Sequence, residues 1–217
     1  MTSPPPELTR HRERATGDRA ALDALLDDVL AGTLSTVVGG QPWVVPMLFA
    51  REGDRILLHG STGAGALRQV AAGAPAALCV LALDAMVVAH STFESSANYR
   101  SAVVSGTLQP LAAAEQSTSL DALSERFVPG RTAEVAPTTG RERAATLALA
   151  LPITEGRWVL KTRTGPPSEP EGPTDAWCGV VPLRLVAGAP EPAPWSRDRP
   201  VPESVRALVA RRGGGAG

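Results

Sequence analysis

The spacing of apolar residues changes several times along the chain. Leu22, Leu25, Leu26, Val29 and Leu30 recur at helical spacing within "TGDRAALDALLDDVLAG", which predicts an amphipathic helix. Thr16 or Asp18 can cap its start and Gly32 can end it. Short apolar or β-branched runs follow: "TLSTVV", "WVVPMLFA" and "RILLHG", divided by the turn sequences "GGQP" and "REGD". That order predicts an antiparallel meander. Pro46 sits inside the second run and has no N–H to give a ladder, so this strand belongs at an edge or a bulge. An edge leaves backbone groups free for another partner.

Further on, a helix is predicted over roughly 63–72, then two longer strands, "AALCVLALDAMVVAHS" and "YRSAVVSGTLQPL". Leu120, Leu123 and Phe127 mark a helix. Thr139 with Glu142 three residues on is a capping-box pattern. The last strands are "ITEGRWVLKTRTG" and "WCGVVPLRLV", on either side of the loop "PPSEPEGPTDA". About six or seven mostly sequential strands with inserted helices predict an α+β fold, a small and mostly antiparallel barrel. Residues 1–15 read as a flexible N-terminal segment, 16–188 as the domain, and 189–217 as a tail too rich in Pro, Gly and Arg to order itself.

Composition narrows the partners. A chain of 217 residues with 43% hydrophobic content can hold a core unaided. Its net charge of −1 argues against a nucleic-acid partner. The longest apolar stretch, "APAALCVLALDAMVVA", is broken by Asp84 and falls short of the ~20 residues of a membrane span. The start, "MTSPPPELTRHRER", has no apolar core of a signal peptide, so a cytoplasmic location is expected. Cys79 and Cys178 form no C-x-x-C motif and read as small, reduced core residues.

The candidate chemistry begins at "ILLHGSTGAGALRQV", a strand, a Gly/Ser/Thr turn and a helix. It is neither a P-loop nor a dinucleotide fingerprint, because Arg68 stands where the third glycine would be. Ser61 and Thr62 precede free helix N–H groups, and Arg68 lies a turn later. They form either an anion cradle or a plain helix cap. Of the three histidines, His11 lies in the N-terminal segment, while His59 and His90 end strands. His59 reads either as a satisfied strand end or as a catalytic or cofactor contact. The histidines and cysteines lack zinc-ligand spacing, and no G-x-S-x-G elbow is present. Asn98, Tyr99, Arg100 and Ser101 open a strand and either converge on a ligand or face solvent. Trp177 is either a packing residue or a lid over a flat ring.

Taken in order, "RHRERATGDRAAL", "QPWVVPMLFAREGDRILLHGSTG", "HSTFESSANYRSAVVSGT", "RFVPGR", "LALPI", "KTRTGPP" and "WCGVVPLRLV" resemble the pyridoxamine 5'-phosphate oxidase-like flavin-binding split barrels. The likeness is greatest to the branch with the nitroimidazole-resistance proteins. It implies a six-stranded split barrel, a homodimer, and FMN bound between subunits. On this chain, Val44, Val45, Pro46, Met47 and Leu48 would lie along the isoalloxazine ring. His59, Ser61, Thr62 and Arg68 would lie near the ring and phosphate. Asn98, Tyr99, Arg100 and Ser101 would complete the pocket, and Trp177 would close it. One departure stands out: relatives carry a lysine or arginine after the H-G-[SA] turn, where this chain has Ala64, Gly65 and Ala66. FMN is the first cofactor expected, with deazaflavin or haem as alternatives. The implied function is an FMN-dependent oxidoreductase that reduces a small electrophile such as a nitro compound with electrons from a nicotinamide donor, His59 giving a proton. The alternative is a dimeric carrier of such a cofactor without turnover.

Overall fold

The computed structural model describes residues 12–213. Asp18 opens the first helix, α1 (Arg19–Asp28), its carboxylate accepting from the Ala20 and Ala21 N–H groups. The helix stops at Val29, which is already extended, so Gly32 does not end it. Gly32 instead lies in β2 (Ala31–Val38), where a Cβ would stand 3.0 Å from Leu78 and Val80. The meander then runs as expected through β3 (Gln41–Leu48), β4 (Ala50–Glu52) and β5 (Arg55–Ser61). Gly39 and Gly40 both take positive φ, 57° and 77°, the geometry of a two-residue hairpin loop. After β5 come α2 (Gly65–Ala71), β6 (Pro75–Val88), β7 (Ser96–Thr107) and α3 (Ala113–Phe127). The capping box at Thr139 and Glu142 is formed and starts α4 (Gly140–Ala145).

The strands make two sheets. A two-residue strand β1 (Ala15–Thr16) pairs with β10 (Trp158–Arg163), and the large sheet runs β1-β10-β7-β6-β2-β3, with β11 (Gly179–Pro182) also on β6. The small sheet runs β4-β5-β9-β8, with β8 at Gln109–Pro110 and β9 at Thr146–Pro152. Between the sheets, Leu22, Leu25 and Leu26 of α1 meet Leu34, Ile56, Leu78 and Leu149 in one core cluster. On the other face of the small sheet, Leu57 and Ala150 pack against Leu123 of α3. The small sheet is therefore covered on both faces. That explains why β9, "TLALALP", is a continuous apolar run. Following a helix cap, such a run has no period to set it apart from more helix, and the sequence reading did not separate it as a strand.

Residues 189–213, expected to stay loose, contain a helix, α5 (Glu203–Arg212). Hydrogen bonds hold it in place of the apolar area it lacks. The Ser204 hydroxyl and N–H donate to Glu134 at 2.5 and 3.0 Å, and the Arg212 guanidinium donates to the Asp28 carbonyl at 3.1 Å. Ala187 N–H donates back to the Arg212 carbonyl at 2.9 Å. At the other end, Ala15, expected in the free segment, pairs with Lys161 in the sheet, as Thr16 pairs with Leu160. His11 lies outside the described residues. Cys79 is exposed on the sheet and Cys178 partly so; both are free thiols and neither is a core residue. No described helix is long and apolar enough to cross a membrane.

Candidate functional site

β3 pairs with β2 alone and ends the large sheet, the edge position that Pro46 called for. The β2–β3 register is unbroken, so the proline produces no bulge. A proline cannot occupy a hydrogen-bonded pair, so Pro42 and Pro46 put the even-numbered positions on the free side. By that parity the N–H groups of Val44 and Leu48 are the edge's remaining donors over these residues. Their side chains, with that of Pro46, stand on an exposed sheet face, while Val45 and Met47 pack toward the core.

At the end of β5, His59 is exposed on its ring yet close enough to protein mass that desolvation lowers its pKa. That favours the neutral imidazole, which has a ring nitrogen lone pair to offer. Ser61 and Thr62 do not cap α2; Ala64 holds that position without a side-chain bond. The Ser61 hydroxyl accepts from Gly63 N–H at 3.1 Å, and Thr62 donates from both N–H and hydroxyl to the Ala145 carbonyl, at 3.1 and 3.3 Å. α4 thus backs the turn, and both residues stay exposed. Gly60 lets α2 lie close, since a Cβ there would be 2.3 Å from the Leu67 side chain. Arg68 has no ion-pair partner among the described residues, and with Gln69 of α2 and Val38 and Trp43 of the β2–β3 hairpin it lines a shallow groove of about 570 Å³. Trp43 was not singled out from the sequence. Its signal was its place at the start of the edge strand.

The β7 residues divide. Asn98 is buried and bonded at both ends of its side chain: its amide donates to the Gly165 carbonyl at 3.0 Å and its oxygen accepts from Arg163 at 2.6 Å. Tyr99 and Ser101 lie opposite Leu83 and Leu81 on the exposed face of the large sheet. Arg100 points the other way, toward Asp84 (2.7 and 3.0 Å) and Asp28 (2.8 Å), and these carboxylates raise its pKa further. Trp177 is 66% exposed and rests beside Gly179, where any Cβ would strike its ring. His90 has its Nδ1 buried without a partner, beside a cavity of about 500 Å³ lined by Glu94, Glu169 and Glu171. Within one chain the expected residues thus form separate groups: the edge, turn and Arg68 groove; the Asn98 pin; the Arg100 ion pairs; and Trp177. Among the described residues no cluster of three metal-ligating side chains occurs.

Comparison with known proteins gives these features a context. In overall structure the chain is similar to an FAD and heme binding protein from Mycobacterium smegmatis, at 46% identity and a TM-score of 0.85, over 90% of this chain and 97% of that one. It is similar to the flavocytochrome Anf3 from Azotobacter vinelandii, at 29% identity and a TM-score of 0.84, over 96% of each chain. A candidate 5-nitroimidazole antibiotic resistance protein from Bacteroides thetaiotaomicron shares the fold at 15% identity, a TM-score of 0.57, and 68% and 85% coverage of this chain and that one. No curated protein matches. The family model described as pyridoxamine 5'-phosphate oxidase matches residues 18–158, from the cap of α1 to the start of β10, and the chain belongs to that family.

Proposed function

We propose that this protein is a flavin-binding redox protein that also takes haem, and that it works as a dimer. The similarity to an FAD and heme binding protein along nearly the whole of both chains carries this reading. The residues present suit a flavin. The β3 edge offers the Val44 and Leu48 N–H groups to the ring's polar rim. Ser61, Thr62 and the unpaired Arg68 offer hydroxyls and a cation to a phosphate. A bound flavin would supply hydride and single-electron chemistry, and the chain would supply orientation and access. The similarity to an FAD and heme binding protein favours FAD over FMN at this edge.

An exposed imidazole at the end of β5 can serve as a haem ligand or exchange a proton. The similarity to a flavocytochrome along nearly the whole chain supports an electron carrier over a nitro-compound reductase, since the nitroimidazole relative shares only the fold. The exposed sheet face supports the dimer: Val44, Leu48, Leu81, Leu83 and Val103 are 60%, 48%, 56%, 47% and 39% exposed on one continuous surface. An apolar area of that kind calls for a cover, and a second copy is the simplest one.

The test is the absorption spectrum of purified protein titrated with FMN, FAD and haemin, with the oligomeric state read by analytical ultracentrifugation. Flavin uptake and a haem Soret band that shifts in His59→Gln, with flavin affinity kept, are the expected results. A colourless dimer that ignores flavin and haemin alike would overturn the proposal. Haem binding unchanged in His59→Gln would remove that residue's role.

A further inference from the structure

Along the large sheet, β6 changes neighbours. β7 holds one edge of β6 for nearly its full length. On the other edge β2 is in register as far as Cys79, and β11 takes over from Ala85. A cavity of about 760 Å³ opens at this break. The end of α1 and Leu81–Asp84 of β6 form two walls, and Leu183–Val186 after β11 forms a third. Arg126 from the last turn of α3 and Arg211 and Arg212 from the last turn of α5 complete it.

The charges here do not cancel. Of the three lining carboxylates, Asp27 is held by Arg51 at 2.5 Å, and Asp28 and Asp84 are held by Arg100 at 2.8 and 2.7 Å. That leaves Arg126, Arg184, Arg211 and Arg212 with no carboxylate partner among the described residues. Arg126 donates to the Asp27 and Val29 carbonyls and Arg212 to that of Asp28, yet each keeps a buried Nε with no acceptor. The Arg184 and Arg211 guanidinium groups make no hydrogen bond among the described residues. Burial first, then the Arg212 and Arg211 charges, hold the Arg126 pKa below its ordinary value against the opposing pull of Asp27 and Asp28. Beside the arginines the segment after β11 is apolar: Leu183, Leu185 and Val186 are 39%, 76% and 53% exposed.

We propose that this cavity binds the diphosphate and ring of a nucleotide cofactor, the phosphates on the arginines and the ring against the leucines. Guanidinium groups match phosphate oxygens two at a time, and a concave site of one charge focuses its field on an anion. The volume is that of a cofactor-sized pocket. No His, Cys, Met or Tyr lines it, so it offers haem iron no ligand. It shares only Arg100 with the residues expected from sequence, and α5 lies beyond the stretch that the family model matches. Two sources carry this chemistry: the ADP half of a flavin dinucleotide, or that of a nicotinamide donor. Only the choice between them rests on the flavin reading; the site itself does not.

ADP is the probe, titrated calorimetrically into full-length wild type and into Arg184→Gln/Arg211→Gln. Those two residues hold nothing else in the described structure, and thermal melts of both proteins check the fold. The expected result is salt-sensitive ADP binding that weakens about tenfold or more in the variant at unchanged Tm. If the double variant melts early, Arg184→Gln alone takes its place. An equal loss for FAD with FMN unaffected identifies the flavin's own tail, and a loss for NADPH alone identifies a separate donor. No ADP binding to wild type, or equal binding to a well-folded variant, overturns the proposal. FMN uptake without ADP binding would fail this site and leave the flavin reading standing; ADP binding without FMN uptake would do the reverse.

Discussion

The turn after β5 and the cavity at the β6 break are built in opposite ways. The turn is local. His59, Ser61, Thr62 and Arg68 lie within ten residues of one another, and their backbone is set by β5, α4 and α2. It is open, and Arg68 is its only cation from that stretch. The cavity is assembled from the ends of α1, α3 and α5 and the middle of β6, up to 185 positions apart between Asp27 and Arg212. Its lining sets five guanidinium groups against three carboxylates, beside an apolar wall. A short signature with weak charge and a long-range cluster with strong charge thus sit on one fold. The strength of a sequence motif is therefore no measure of where an anion is held best.

Substitutions in each region should separate the two. Arg100→Ala should cost most. It leaves Asp84 and Asp28 facing each other without their cation, about 1–3 kcal/mol of stability by urea unfolding, given that the group is a third exposed. If Arg100→Ala costs nothing, the carboxylates were never held, and the charge count in the cavity needs redrawing. Gly60→Ala should come close behind. Its Cβ must displace the buried Leu67 and push α2 from the turn, at about 1–3 kcal/mol. It should also lower flavin affinity while leaving ADP binding alone, as fluorescence and calorimetric titrations would show.

Ser204→Ala is the gentler probe of the second region. Losing the hydroxyl bond to Glu134 should cost about 1 kcal/mol and loosen α5, weakening ADP without touching FMN. His59 gives the smallest effect. Its folded pKa lies below the unfolded value near 6.5, so the unfolded chain binds the proton first as pH falls. Stability is then full above that value and declines as pH drops through the folded pKa. With the ring exposed, the loss is roughly a few tenths of a kcal/mol. Melting curves of wild type and His59→Gln at several pH values should converge above neutrality and part below it. Parallel curves would mean that the ring is not desolvated.

Much of the architecture could be read from residue patterns. The leucines of α1, the Gly39–Gly40 hairpin, the edge place of β3 and the capping box at Thr139 all depend on neighbours within a few positions. The failures share a cause as well. β9 is apolar at every inward and outward position because α3 covers its second face, which no window around residue 146 reports. α5 looked too polar to order, because Glu134 and Asp28, its hydrogen-bond partners, lie far back in the chain.

The candidate site shows the same division. The strand end, the turn and the edge were legible because a proline, a glycine cluster and an apolar run each act on local backbone. The chain alone thus determined the family, the mostly antiparallel α+β fold and the position of the β3 edge. It could not show that Asn98 is spent on Arg163 and Gly165, or that Arg100 is spent on Asp84 and Asp28. Nor could it show that Arg126, Arg184, Arg211 and Arg212 meet in one cavity. Which charges are neutralised and which remain depends on distances of a few ångströms between remote segments, and only the folded packing decides those.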